Sequence, residues 1–479
     1  MPSTVALLLW FILLMALLRY DPARKPETSW TVWIPVLWMF FMLSRLPSQW
    51  LGRRMGALAQ ALEEGNSMDR VVLFGLILVC IGILMRRSFQ WGGFFGANAF
   101  LTALLFYSFV SFLWSDFSAI ALKRWIRDLG NYLAILVVLS ESYSTVEAVS
   151  GFLRRLSFLL IPLSVLMIKY YSYEAVTYSF WTGLPEYIGA ATSKNTLGAA
   201  CMLSGIYFLW DTVSRWSDRK NPQTRRIILI NITFIVMTVW LLRLANSATS
   251  QACLLLGWAV VLAYARWGTR RPNLIKAAIP IFLITYIVLV LFFDINDTLA
   301  RMLGRDPTLT GRTNIWQAVL STNTNPLLGT GYDSFWLGPR LAQVWAVAGP
   351  VNQAHNGYLE VYLNLGMIGV VLLVGLLITS YRNIWRHAAE ARNLTSLTLA
   401  LWTLALFYNL TEASFKPTFM CLTFLLGAVV VPVAQPSKMT ARSFPSKALP
   451  QVDRRSRVEP KWVEINRLRQ QRTLKPERD

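Results

Sequence analysis

Histidine is almost missing from this chain: 479 residues hold two, His355 and His387. Cysteine is nearly as scarce, with four residues, Cys80, Cys201, Cys253 and Cys421, each inside an apolar run. No CxxC pair and no ligand-like spacing occurs, which argues against a zinc site or a disulfide framework and reads the cysteines as packing residues. Charge is thin as well, at 15% of residues against about 25% in soluble domains. Acidic residues are the scarcer sign, 25 against 46 Lys and Arg, for a net charge of +21. What fills the chain instead is apolar: 55% hydrophobic residues, 20 Trp, 17 Tyr, 26 Phe and a mean hydropathy of +0.44. Such a composition excludes a disordered chain and a string of soluble domains, and it makes this a membrane protein.

The distribution of the positive charge separates membrane topology from nucleic-acid binding. Lys and Arg avoid the apolar runs and gather in short connections, "SRWSDRKNPQTRR" (214–226) and "RWGTRRPNLIK" (266–276), and in the tail 435–479. Cytoplasmic segments have this bias, and no aromatic-interleaved basic module accompanies it, so nucleic acid is not an expected partner. A helical span needs roughly 20 mostly apolar residues. Candidates fall near 4–19, 30–46, 71–86, 94–114, 129–143, 156–171, 195–213, 227–243, 248–266, 277–293, 359–380, 396–414 and 416–434. The fold class is therefore an all-α integral membrane protein of about 12–13 spans, with a polytopic domain over 1–434 and a basic cytoplasmic tail over 435–479. The first stretch lacks a basic lead and a small-residue cleavage site and reads as a retained span. Placing the basic loops inside puts 171–194, 244–247 and the long loop 294–358 outside, where a loop of that length between two spans is commonly functional. Within it, "RTNIWQAVLS" has the pattern of a short amphipathic helix.

The candidate chemistry lies on that outer face. His355, in "QAHNGYLE", stands at the mouth of a span beside Asn356, Tyr358 and Glu360. A single histidine is more often structural than catalytic, but a polar cluster at a helix start next to a long loop turns the reading toward function. Arg312, in "GRTNIW", offers a planar fork suited to two-point contact with phosphate. Lys194, Arg243, Arg124 and Arg127 sit at other outer span ends, against the usual topology bias, and as a group they point to an anionic ligand, whereas any one of them alone equally fits interfacial snorkelling. Asp294, Asp297, Asp306 and Asp333 are scattered and no second histidine joins them, so no metal site is expected.

Four strings, "SKNTLG" (193–198), "GRTNIW" (311–316), "LLGTGYDSF" (327–335) and "AHNGYLEVYLNLGMIGV" (354–370), resemble in order and spacing the bacterial O-antigen ligase and Wzy-type polymerase superfamily, and within it the ExoQ-type exopolysaccharide polymerases. The likeness runs from about 95 to 430 and takes in "LWSDFS" (113–118) and "NLTEASF" (409–415). It implies a GT-C-like fold in a bacterial inner membrane and a site on the periplasmic face. It also implies a donor glycan on undecaprenyl diphosphate, no cofactor and no metal. Chain-length regulator and export proteins are further candidate partners besides the lipid-linked oligosaccharide and the bilayer. The family histidine falls on His355 and the loop arginine on Arg312. A Ser-Arg pair common in the family reads "NSATSQ" (246–251) here, without the arginine, and Arg243 is the substitute.

The residue types fit such a transfer. A diphosphate departs as an anion and needs positive charge, which Arg312, Arg243 and Lys194 supply. The acceptor hydroxyl needs a base, which His355 supplies, with Glu360 or Tyr358 to orient it. A ligase delivering a finished glycan to a lipid or protein acceptor would use the same residues. A flippase or secondary transporter would be expected to show repeated halves and polar groups at mid-membrane, and neither is visible in the sequence.

Overall fold

The computed structural model describes residues 2–21, 29–52, 66–87, 89–141, 144–179, 183–293, 312–388 and 392–415. The apolar run 416–434, the basic tail, and the loop carboxylates Asp294, Asp297 and Asp306 lie outside the described residues. Helices dominate, in the order α1 (Ser3–Arg19), α2 (Trp33–Leu43), α3 (Ser67–Arg86), α4 (Trp91–Ala97), α5 (Ala99–Val110), α6 (Ser118–Leu139), α7 (Thr145–Tyr170), α8 (Lys194–Arg215), α9 (Pro222–Ala245), α10 (Ala248–Trp267), α11 (Pro272–Phe293), α12 (Arg312–Leu320), α13 (Gly338–Ala348), α14 (Gly357–Arg386) and α15 (Arg392–Tyr408). The strands among the described residues are β1 (Val176–Tyr178) and β2 (Pro185–Tyr187), an antiparallel hairpin between α7 and α8.

Local chemistry sets the ends. Ser193 caps α8 by accepting from Thr196 N at 3.2 Å, and Ser144 caps α7 at Glu147 N. Asn221 with Pro222 opens α9, and Asn246 in the left-handed region (φ 48°) closes it. Apolar stretches of α7 and α8 are 83% buried, against 33% in α3 and α9. The first pair forms the centre, and the second turns apolar side chains such as Val71, Phe74, Leu229 and Val236 outward, as bilayer contact requires. At the end away from Lys194, buried Asp21 pairs with Arg154 (3.1 Å) and Arg155 (2.8 Å), and Asp211 pairs with Arg154 (3.1 Å) and Arg215 (2.8 Å). These ion pairs tie the end of α1 to α7 and α8.

Among the described residues six helices are long and apolar enough to span a bilayer, or seven if α4 and α5 form one bent span, and four shorter apolar helices accompany them. The expected count of 12–13 therefore rests partly on segments that do not qualify alone. The run 94–114 is two helices that meet at 100° around Asn98, whose side chain bonds Phe94 O at 2.9 Å. The span expected at 129–143 begins at Ser118, so Arg124 and Arg127 belong to α6 rather than to a loop.

The span expected at 359–380 also breaks. Gly366 in α14 has φ 63° and ψ −165°, and the freed backbone groups are taken up by the segment 326–331. Met367 N donates to Pro326 O (2.9 Å) and Ile368 N to Leu327 O (3.3 Å), while Leu363 O and Asn364 O accept from Thr330 N (3.1 Å) and Gly331 N (2.9 Å). A helix at membrane depth tolerates such a break only where other protein groups satisfy it. Glycine is required here: a Cβ on Gly366 would lie 2.1 Å from Leu327 O.

Candidate functional site

The segment 353–357, just before α14, is fixed from both sides. Ala354 N donates to Glu360 Oε1 (2.7 Å) and Ala354 O accepts from Trp316 Nε1 of α12 (2.8 Å). Those bonds hold the next residue, His355, in the left-handed region at φ 50°, a conformation that histidine adopts more readily than most residues. Asn356 caps α14 by accepting from Leu359 N (3.0 Å). Gly357 N donates to Asn409 O (2.8 Å), and a Cβ on Gly357 would meet Asn409 Oδ1 at 1.9 Å, so only glycine admits this approach.

That approach carries the turn after α15 to His355 and delivers Glu412. Its carboxylate, 4% exposed, is shared three ways: Oε1 accepts from Arg312 Nη2 (2.9 Å) and Asn195 Nδ2 (3.0 Å), and Oε2 lies 3.3 Å from His355 Nδ1. A carboxylate only accepts, which assigns the proton to Nδ1 and leaves Nε2 as the basic nitrogen. Gln353 Nε2 stands 3.4 Å from the same Nδ1, the longer of the two contacts. Burial pushes the Arg312 guanidinium below its ordinary value and Glu412 opposes the shift. Among the described residues Arg312 is bonded through Nη2.

Residues 232–374 match the family described as O-antigen ligase. That stretch is similar to the O-antigen ligase family. The exopolysaccharide production protein ExoQ of Rhizobium meliloti (strain 1021) is 25% identical over 345 residues, covering 68% of this chain and 74% of that protein. Together these support the O-antigen ligase and ExoQ-type assignment. The matched stretch contains Arg312, His355, Asn356, Tyr358, Glu360 and Arg243. Asn195, in α8, and Glu412, in the turn after α15, lie on either side of it in the chain.

The structure brings His355 and Arg312 together and gives the remaining candidates different surroundings. Glu360 does not fill the orienting place expected for it: its buried carboxylate binds Trp336 Nε1 (3.0 Å) and Ala354 N, so it shapes the backbone before His355. Tyr358 donates to Leu406 O (3.2 Å) and stacks edge-on with Phe415, a packing role. Lys194 adjoins Asn195 in sequence, yet its own Nζ pairs with Glu186 of the hairpin at 2.6 Å. Arg243, near the end of α9, is exposed, with no ion pair among the described residues.

Arg124 and Arg127 are not free cations at an outer mouth: Arg124 bonds the Asp333 backbone carbonyl and side chain, and Arg127 pairs with Asp128 at 2.9 Å. Their charge is met by Asp333 and Asp128, in a cluster that does not include Glu412. The aromatics in the loop divide likewise, with Trp316, Phe335 and Trp336 packed and bonded and Tyr332 facing a separate cleft. Among the described residues no three of His, Cys, Asp and Glu gather as metal ligands. The residue that sequence reasoning missed is Glu412. A signal was present: it is the one acidic residue in the stretch from 394 to 434.

Proposed function

We propose that this protein polymerises an exopolysaccharide by transferring a glycan from a lipid diphosphate, of the undecaprenyl class, to a sugar hydroxyl. Glu412 held between His355 and Arg312 carries the reading, because its buried carboxylate joins a partly exposed base and a fixed cation. The acceptor hydroxyl attacks the anomeric carbon, the bond to the diphosphate breaks, and the electron pair leaves with the phosphate oxygen. The hydroxyl proton passes to His355 Nε2, and the imidazolium so formed is stabilised by Glu412 through Nδ1. Arg312 meets the negative charge that develops on the diphosphate, a task that a metal ion performs in other transferases. The reaction needs no cofactor. The name of the relative supports the exopolysaccharide end of this reading, and the apolar helices support a multi-pass membrane protein. A GT-C-like mechanism at the periplasmic face of the inner membrane follows from the same reading.

The test incubates purified protein with a lipid-linked repeat unit and chelator, without nucleotide sugar. A ladder of longer glycans is the expected product. Delivery of one glycan to a non-glycan lipid would make the protein a ligase, and an unchanged donor would overturn transfer altogether.

A further inference from the structure

A cavity whose lining includes neither His355 nor Arg312 lies against α14. It occupies about 190 Å³ between α5, α6 and α14, with Tyr332 and Asp333 at one end and Leu104, Leu105 and Leu129 further in. A smaller apolar cavity of about 80 Å³ shares Leu105, Leu129 and Tyr132 with it and continues to Phe94, Leu101 and Leu136 of α4, α5 and α6. The two form a path that is polar at one end and apolar along the rest.

The polar end has a definite hydrogen-bonding character. Arg127 Nε donates to Asp128 Oδ1 (2.9 Å), Tyr332 OH donates to Asp128 Oδ2 (3.0 Å), and Asp333 Oδ2 lies 3.9 Å from Arg127 Nη2. Burial and Asp128 push the Tyr332 phenol well above its ordinary value, so it stays a neutral donor. The side chains of Asp333 (27% exposed) and Arg127 (43%) are the accessible members. A fully ionised phosphate placed here would face three carboxylates, Asp128, Asp333 and Glu360, and could donate to none of them. A sugar hydroxyl both donates and accepts, so vicinal hydroxyls satisfy Asp333 and Arg127 together. Trp125 and Tyr132 also line it, side chains of the kind that pack on sugars.

We infer that this cleft binds an uncharged saccharide carried on an apolar chain, with the sugar at Asp333 and Arg127 and the chain along Leu129 toward Leu136. It is lined by neither His355 nor Arg312, adjoins them through Glu360, and selects against anionic lipids, the reverse of what the arginines alone imply.

The probe is dodecyl maltoside carrying a photoreactive diazirine in its alkyl chain, added to the full-length protein in phosphatidylcholine nanodiscs. Labelled peptides are mapped by mass spectrometry. Labelling is expected within 94–105 and 129–136, competed by unmodified dodecyl maltoside and not by dodecyl phosphate. Asp333→Asn, which keeps shape and tolerates the positive φ, is expected to weaken competition about tenfold by removing a charged acceptor. Equal competition by dodecyl phosphate, or labelling confined to other helices, would overturn the assignment on the unmodified protein alone. Neither readout depends on glycan transfer, so the cleft and the proposed reaction stand or fall separately.

Discussion

Glu412 is the residue on which the site turns, because one carboxylate serves both His355 and Arg312. Glu412→Gln keeps its volume and removes the charge, so the imidazolium loses its partner and the Nδ1 tautomer is no longer enforced. Turnover of lipid-linked donor is expected to fall about 10²- to 10⁴-fold, the range for losing a proton-transfer group or its orienter. Activity near that of the wild type at equal protein level would leave Glu412 an architectural role only. His355 is better tested as His355→Asn than as alanine, since asparagine accepts the left-handed backbone whereas alanine adds strain of about 1–3 kcal/mol. The expected result is normal abundance with no polymer, measured in cells at matched expression. Arg312→Lys is expected to be nearly as inactive as Arg312→Ala, because an ammonium point charge cannot keep Glu412 and also grip a diphosphate with a planar fork. Recovery of most activity with lysine would reduce Arg312 to general electrostatics.

The elements show where sequence reading stops. Apolar runs located the helices because bilayer burial and helix length leave a long-range signal, and the short helix at 312–320 fell where its amphipathic pattern placed it. The break inside α14 left no such mark, since a glycine in an apolar run reads as a tolerated helical residue until another backbone is seen entering the gap. The same holds for α6, whose charged first half hid its helical character behind Arg124 and Arg127. His355 and Arg312 were legible because their residue types are rare or chemically distinctive within one loop. Glu412 was not, because only tertiary packing across Gly357 and Asn409 brings it from 57 residues away. The break itself is testable. Gly366→Ala forces a Cβ toward Leu327 O in a positive-φ conformation, so a loss of at least about 1–3 kcal/mol is expected, read as a lower unfolding temperature of the purified protein. An unchanged melting curve would show that the 326–331 segment does not depend on the break.

At the scale of the whole molecule, sidedness decides whether the proposed chemistry faces the periplasm. Tyr171 OH donates to Ser3 O at 3.1 Å and Arg45 pairs with Glu174, so the start of α1, the end of α2 and the end of α7 share one end of the bundle. The hairpin leads from there to Lys194 and Asn195, and Asn195 to Glu412 and the site. Arg215 at the end of α8, Arg219 and Lys220 in the connection, and Arg225 and Arg226 in the first turns of α9 cluster at the opposite end. Positive loops stay in the cytoplasm, so the site end is expected outside. Cysteine labelling measures this directly. Cys80, Cys201 and Cys253 are buried, and Cys421→Ser removes the remaining natural thiol. In that background Tyr173→Cys, at a side chain 80% exposed beside the hairpin, is expected to react with a membrane-impermeant maleimide in intact spheroplasts. Lys220→Cys, in the basic connection, is expected to react only after the membrane is opened. The opposite pattern would place the His355 centre on the cytoplasmic side, where the exported glycan would be on the wrong side of the membrane for extension.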